Sequence, residues 1–96
     1  MLEGITHESF ESLLGETVDL KAGELSFKAD VESVSLLRQN PGQERQPFSL
    51  VLQAHDASNH GQQTYQLSHP DLGVLALFMV PIGPGEEGMR YEVVFN

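Results

Sequence analysis

The stretch TVDLKAGELSFKADVESVSL, residues 17–36, decides the fold. Val18, Leu20 and Ala22 alternate with Thr17, Asp19 and Lys21. Successive side chains of a strand point to opposite faces, so this run buries one face and wets the other. Ala22-Gly23-Glu24 marks a tight turn, after which Leu25, Phe27, Ala29 and Val31 alternate with Ser26, Lys28 and Asp30. The two runs read as a β-hairpin. The phase then slips at Glu32-Ser33, because the next apolar residues are Val34 and Leu36. A one-residue slip would turn those side chains to the wrong face. A β-bulge at Glu32-Ser33 restores them, and bulges bend sheets toward barrels.

Before the hairpin, the pattern is helical. Thr6 to Leu14 reads as one short helix with Thr6 as N-cap. Ile5 and Phe10 hold the two positions of a hydrophobic staple. Glu8 sits in the first turn, where the helix dipole favours an anion. Phe10, Leu13 and Leu14 form an apolar stripe, and Gly15 is the stop signal. A helix of about nine residues is marginal alone and must dock on something.

After the hairpin come four further strands. Arg38 to Gln46 is a polar loop around Asn40-Pro41-Gly42. Phe48, Leu50, Leu52 and Ala54 mark a strand, and Asp56 to Gly61 a second loop. Thr64 to Ser68 is a strand with Tyr65 and Leu67 on one side. His69-Pro70-Asp71-Leu72-Gly73 is a turn. Leu72 to Pro81 is the most apolar strand, Gly83, Gly85 and Gly88 belong to a flexible hairpin loop, and Met89 to Phe95 is the last strand with Tyr91, Val93 and Phe95 in phase. The expected fold is mainly β: a small antiparallel six-stranded barrel or strongly curled sheet with one short N-terminal helix. Strands adjacent in sequence are expected to pair. At 96 residues the chain reads as one domain, residues 1–96.

The strand Leu72 to Val80 is apolar on both faces. Leu72, Val74, Ala76, Phe78 and Val80 form one set, and Leu75, Leu77 and Met79 the other. Such a strand must be covered on both sides or leave a patch exposed. One set would face the barrel interior. The other could lie under Phe10, Leu13 and Leu14, or could bind a partner, with Val51 and Val94 extending the patch.

Five Lys and Arg stand against fourteen Asp and Glu, a formal charge of −9. Binding to nucleic acid or to an anionic membrane is therefore not expected, because both need a cationic face. There is no cysteine, which excludes disulfides, thiolate metal sites and cysteine nucleophiles. The opening MLEGITHESF has no basic stretch and no long apolar run, so it does not read as a signal peptide. The longest apolar run, Val74 to Ile82, falls far short of the ~20 residues of a membrane helix. A cytoplasmic location is expected.

Catalytic groupings are weak. His55-Asp56 with His60 four residues on resembles a metal-ligand cluster only loosely, and no metal or cofactor is expected. His7, His55, His60 and His69 read as solvated loop and strand-end residues, with His69 before Pro70 as turn punctuation. Glu86-Glu87 are adjacent and would point apart, whereas two-carboxylate catalysis needs groups facing across a cleft. GPGEEG is too acidic to cradle phosphate. Arg90 either anchors an anion or pairs with Glu92 or a carboxylate on a neighbouring strand.

The combination LSHPDLGVLALFMVPIGP, residues 67–84, followed by GMRYEVVFN, residues 88–96, resembles a family of small bacterial proteins known as a domain of unknown function. The opening LEGITHESFESLLGETVDL, residues 2–20, and QPFSLVL, residues 46–52, fit the same pattern. The loops Arg38–Gln46 and Asp56–Gln62 do not. The resemblance implies an accessory or interaction role beside phage-tail-collar-like or fibre-like proteins. It carries over no catalytic residue.

The function expected first is a non-enzymatic interaction module. A protein partner or a second copy would bind at a Leu75/Leu77/Met79 face, with Arg90 and Tyr91 nearby. The alternative is a small-ligand site at the barrel mouth using Tyr65, Arg90 or Tyr91. Third is an enzyme that gathers His55, Asp56, His60 and His69 around one concavity.

Overall fold

The computed structural model describes residues 4–96. Residues 1–3, the start of the MLEGITHESF stretch, lie outside the described residues. The elements are α1 (His7–Glu11), β1 (Thr17–Ala22), β2 (Leu25–Leu36), β3 (Phe48–Ala54), β4 (Gln63–His69), β5 (Gly73–Pro84) and β6 (Met89–Phe95). The six strands form a closed antiparallel barrel in the order β1-β2-β3-β6-β5-β4, with β4 paired to β1. Among the described residues no helix is long and apolar enough to cross a membrane.

The β1–β2 hairpin pairs Ala22 with Leu25 across Gly23 and Glu24. Gly23 has a φ of +61°, which a glycine adopts without the steric cost of a Cβ. The bulge falls at Glu32, between the pairs Val31↔Leu52 and Ser33↔Val51. It moves the inward set of β2 from Phe27, Ala29 and Val31 to Val34.

Pairing in sequence order fails at one place. β3 pairs with β2 and β6, not with β4. In a closed ring of this order β3 and β4 stand three places apart, on opposite sides. Residues 55–62 must therefore cross the mouth of the barrel. Local pattern cannot reveal this, because β3 and β4 have the same alternation whichever neighbour they take.

Each end of the barrel is filled by aromatic rings. At one end α1 supplies Phe10, fully buried 6.1 Å from Phe48 and 5.5 Å from Phe95 (ring centroids). Phe48 and Phe95 stack at 4.4 Å. The helix is shorter than expected and ends at Glu11; Leu13 is still buried, but Leu14 is 49% exposed and does not join the stripe. The N-terminus of α1 is closed by the Ser9 hydroxyl, which accepts the Thr6 N–H at 3.2 Å. At the other end the crossing loop lays His60 on Phe27 at 4.6 Å, and Phe27, Tyr65 and Tyr91 pack within 6 Å of one another. The Tyr65 hydroxyl donates to the Gly61 carbonyl at 2.6 Å, and the Tyr91 hydroxyl accepts the His60 N–H at 3.0 Å. Both phenols are buried with their polar ends satisfied by the loop, as a buried tyrosine requires.

The strand buried on both faces is β3, not β5. Its outward residues Ser49, Val51 and Gln53 are all buried. β2 and β6 flank β3, so the Arg90–Glu32 ion pair, at 3.0 Å, spans its outer face. Arg90 thus pairs with a carboxylate two strands away rather than with Glu92. The β5–β6 loop closes over Gln53, whose side-chain amide donates to the Gly88 carbonyl at 2.6 Å.

Candidate functional site

The strand β5 presents the opposite face from the one expected to bind. Leu75, Leu77 and Met79 point into the barrel and are buried. The cause is register. Leu67 pairs with Leu75 and Tyr65 with Leu77, and facing residues of an antiparallel pair lie on the same side of the sheet. Tyr65 and Leu67 are core residues, so Leu75 and Leu77 follow them inward. Tyr91, the other proposed binding residue on β6, is likewise fully buried, and Arg90 sits around the barrel over β3. The five residues therefore form no common surface.

The outer face carries Val74, Ala76 and Phe78 instead. Val74 is 65% exposed, Phe78 53%, and Val94 on β6 50%. Their β4 neighbours are Ser68, Gln66 and Thr64, all polar and uncharged. Charge returns only on β1, with Asp19 and Lys21 opposite Ser68 and Gln66. In a chain where 20% of residues are charged, this face is apolar and uncharged across two strands. Six of the seven aromatic residues are buried in the two end plugs; Phe78 alone stands in solvent.

A groove of about 300 Å³ runs between β5 and β6 on this side. It is lined by Ala76, Leu77, Phe78, Val93, Val94 and Phe95, with Glu92 and Arg45 at its rim. The Arg45 guanidinium donates to the Ile5 carbonyl.

The four histidines do not gather. Each takes a different carboxylate: His7 with Glu11 at 3.1 Å, His55 with Asp30 at 2.8 Å, His60 with Asp56 at 3.0 Å, and His69 with Glu16 at 2.9 Å. His69 is buried rather than solvated. The Asp71 N–H donates to its Nδ1 at 3.0 Å, so the ring proton lies on Nε2 and is donated to Glu16. This ties the β4–β5 turn to the segment before β1. His60 is also mostly covered, by its stack on Phe27. Among the described residues no group of three His, Asp or Glu side chains is placed to hold a metal ion.

Two carboxylates carry the acid response. Asp30 accepts the Thr17 hydroxyl at 2.7 Å and, second, pairs with His55; both hold it below its ordinary 3.8. Asp56 is lowered by the Ser58 N–H and then by His60. A carboxyl with a lower pKa in the folded state binds fewer protons there than in the unfolded chain. Its stabilisation is complete above the unfolded value and is lost as pH falls through the folded one. Stability in urea melts is therefore expected to fall from about pH 4 downward. Asp30→Asn, which cannot titrate, should show a shallower fall; an unchanged slope would remove Asp30 from the cause. At the other end of the scale, burial raises the Tyr91 hydroxyl above its ordinary 10.0.

A family model described as a domain of unknown function (DUF6916) matches residues 5–95. The chain belongs to this family. The match takes in α1 and all six strands, together with the loops 38–46 and 56–62 that the sequence resemblance left out. No curated protein and no solved structure matches the chain. The family description assigns no activity.

Proposed function

We propose that the chain is a non-enzymatic interaction module, and that a protein partner binds the outer face of β5 and β6. One observation carries this reading: Phe78 is the one aromatic residue left outside two end plugs that absorb all the others. Exposing an aromatic ring forgoes roughly 1.5–3 kcal/mol of burial. Clustered with Val74, Ala76 and Val94, beside a surface that is uncharged across β4 and β5, it has the composition of an interface centre, where aromatic anchors supply most of the binding energy. The small-ligand alternative has less support, since Tyr65 and Tyr91 are spent on closing the mouth. We place the module in the cytoplasm of a bacterium, as an accessory to larger assemblies; tail-collar-like or fibre-like proteins are the company that the resemblance of residues 67–84 implies.

The test is the double variant Phe78→Asp with Val94→Asp. Both side chains are half-exposed, so the fold should survive, with the thermal midpoint within a few degrees. Affinity capture from lysate of the source cells should lose its specific partner, corresponding to at least about a tenfold weakening. An unchanged capture profile, from a variant whose circular dichroism is intact, would remove this face as the interface.

A further inference from the structure

Resting on that interaction reading, we propose that the open edges of β5 and β6 receive an extended peptide by strand addition, its alternate residues apolar and its end near Glu92 basic. β5 is paired with β4 along residues 73–79, but its ladder to β6 covers only residues 80–84. β6 is paired with β3 as far as Phe95, while its β5 side stops at Glu92. Residues 77–79 and 93–95 therefore lack a ladder on the side where they face one another, and residues 74–76 run on past the end of β6. Along such an edge about half of the N–H and C=O groups point away from the paired neighbour. These are the groups an added strand uses.

The groove lies in this gap. Core residues Leu77, Val93 and Phe95 line it beside the outward residues, so it lies along the unpaired stretch of the two strands. Its floor is about four residues long, roughly 13 Å at strand spacing. That length fits a short extended segment and is too short for a helix of useful stability. Side chains of the added strand would alternate between Leu77 and Phe95 below and Phe78 and Val94 outside.

Charge selects the occupant. Among the described residues Glu92 has no ion-pair partner, whereas Arg45 is committed to the Ile5 carbonyl. The whole chain carries −9. A lysine or arginine beside the apolar segment gains from both the local carboxylate and the long-range field. A second copy of this chain brings the same −9 and is the poorer fit.

The probe is a capped synthetic peptide of about eight residues, alternating valine and threonine between terminal lysines. Amide shifts and hydrogen exchange are followed in the labelled chain. The expected result is shift changes and slowed exchange confined to residues 74–79 and 93–95. A backbone N-methylated peptide keeps the side chains and charge but cannot pair; its binding should weaken at least about tenfold. Glutamate in place of lysine, or Glu92→Gln in the chain, should weaken binding several-fold. Equal binding of the N-methylated peptide, shifts elsewhere, or no shifts at about 1 mM peptide would overturn strand addition. Loss of partner capture in Phe78→Asp with Val94→Asp would still stand in that event, so the two readings fail separately.

Discussion

Phe10→Ala is expected to lower the stability of the folded chain by about 3–5 kcal/mol. Phe10 is fully buried between Phe48 and Phe95 and closes one end of the barrel. The helix that carries it has five residues, too few to hold its own shape in water. Its place depends on Phe10 and Leu13. Truncation removes the ring, leaves a cavity against two stacked phenylalanines, and releases the helix. A domain of this size has only about 5–15 kcal/mol to lose. Urea denaturation should therefore show a midpoint shifted far down or a chain unfolded at 37 °C. Leu14→Ala is the internal control: its side chain is half in solvent, and the expected change is within about 0.5 kcal/mol. Equal effects at the two positions would contradict the docking of α1 through Phe10.

Gly88→Ala is the second large effect, expected at about 2–3 kcal/mol. The reason is contact, not backbone freedom. A Cβ on Gly88 would lie 2.4 Å from the Asp56 carbonyl oxygen and 2.7 Å from that of Ala54. Both are backbone atoms, at the end of β3 and two residues beyond it, and cannot swing aside. The loop would have to lift, and with it the Gly88 carbonyl that accepts from Gln53 and from the Gly85 N–H at 2.7 Å. Gln53 is buried, so its amide would keep only the Ala54 carbonyl, at 3.1 Å, and a lost buried hydrogen bond costs about 0.5–1.5 kcal/mol. Gly85→Ala should be comparably costly, because a Cβ there meets the Gln53 amide and the Arg90 stem, and turning Gln53 away breaks the same bond to the Gly88 carbonyl. Gly4→Ala, with open space around it, should change little. Thermal unfolding should place both Gly88→Ala and Gly85→Ala well below Gly4→Ala. A Gly88→Ala midpoint equal to wild type would mean that the loop does not close on β3 as described.

These glycines show where local reading stops. In the sequence Gly83, Gly85 and Gly88 look like flexible punctuation of a hairpin. Only Gly83 serves a positive φ, +113°, beside the bulge in β5. Gly85 and Gly88 are needed because another strand passes within van der Waals reach, a fact absent from their own neighbourhood.

The candidate surface was half legible. That one face of β5 would be left over follows from composition alone, since both its sets are apolar. Which face is left over depends on β4. The inward positions of β4, Tyr65 and Leu67, were readable, and the turn at residues 69–73 links the strands; counting back through it pairs Leu67 with Leu75 and yields the correct face. The register across the turn depends on a three-residue loop whose length is not set by its residue types alone.

Local grammar follows from the residues alone: the capped helix start at Thr6, the Gly23 turn, the Glu32 bulge, and six strands with a period of two. All of these depend on backbone preference and on neighbours a few residues away. The tertiary structure alone decided that β3 pairs with β6, that His60 and His69 are covered, that Arg90 reaches Glu32, and that β5 and β6 part along residues 93–95. The first three join residues more than thirty positions apart, and the last depends on how far two neighbouring strands stay paired. Side chains with the same period fit several pairings equally well; filling one closed interior selects among them.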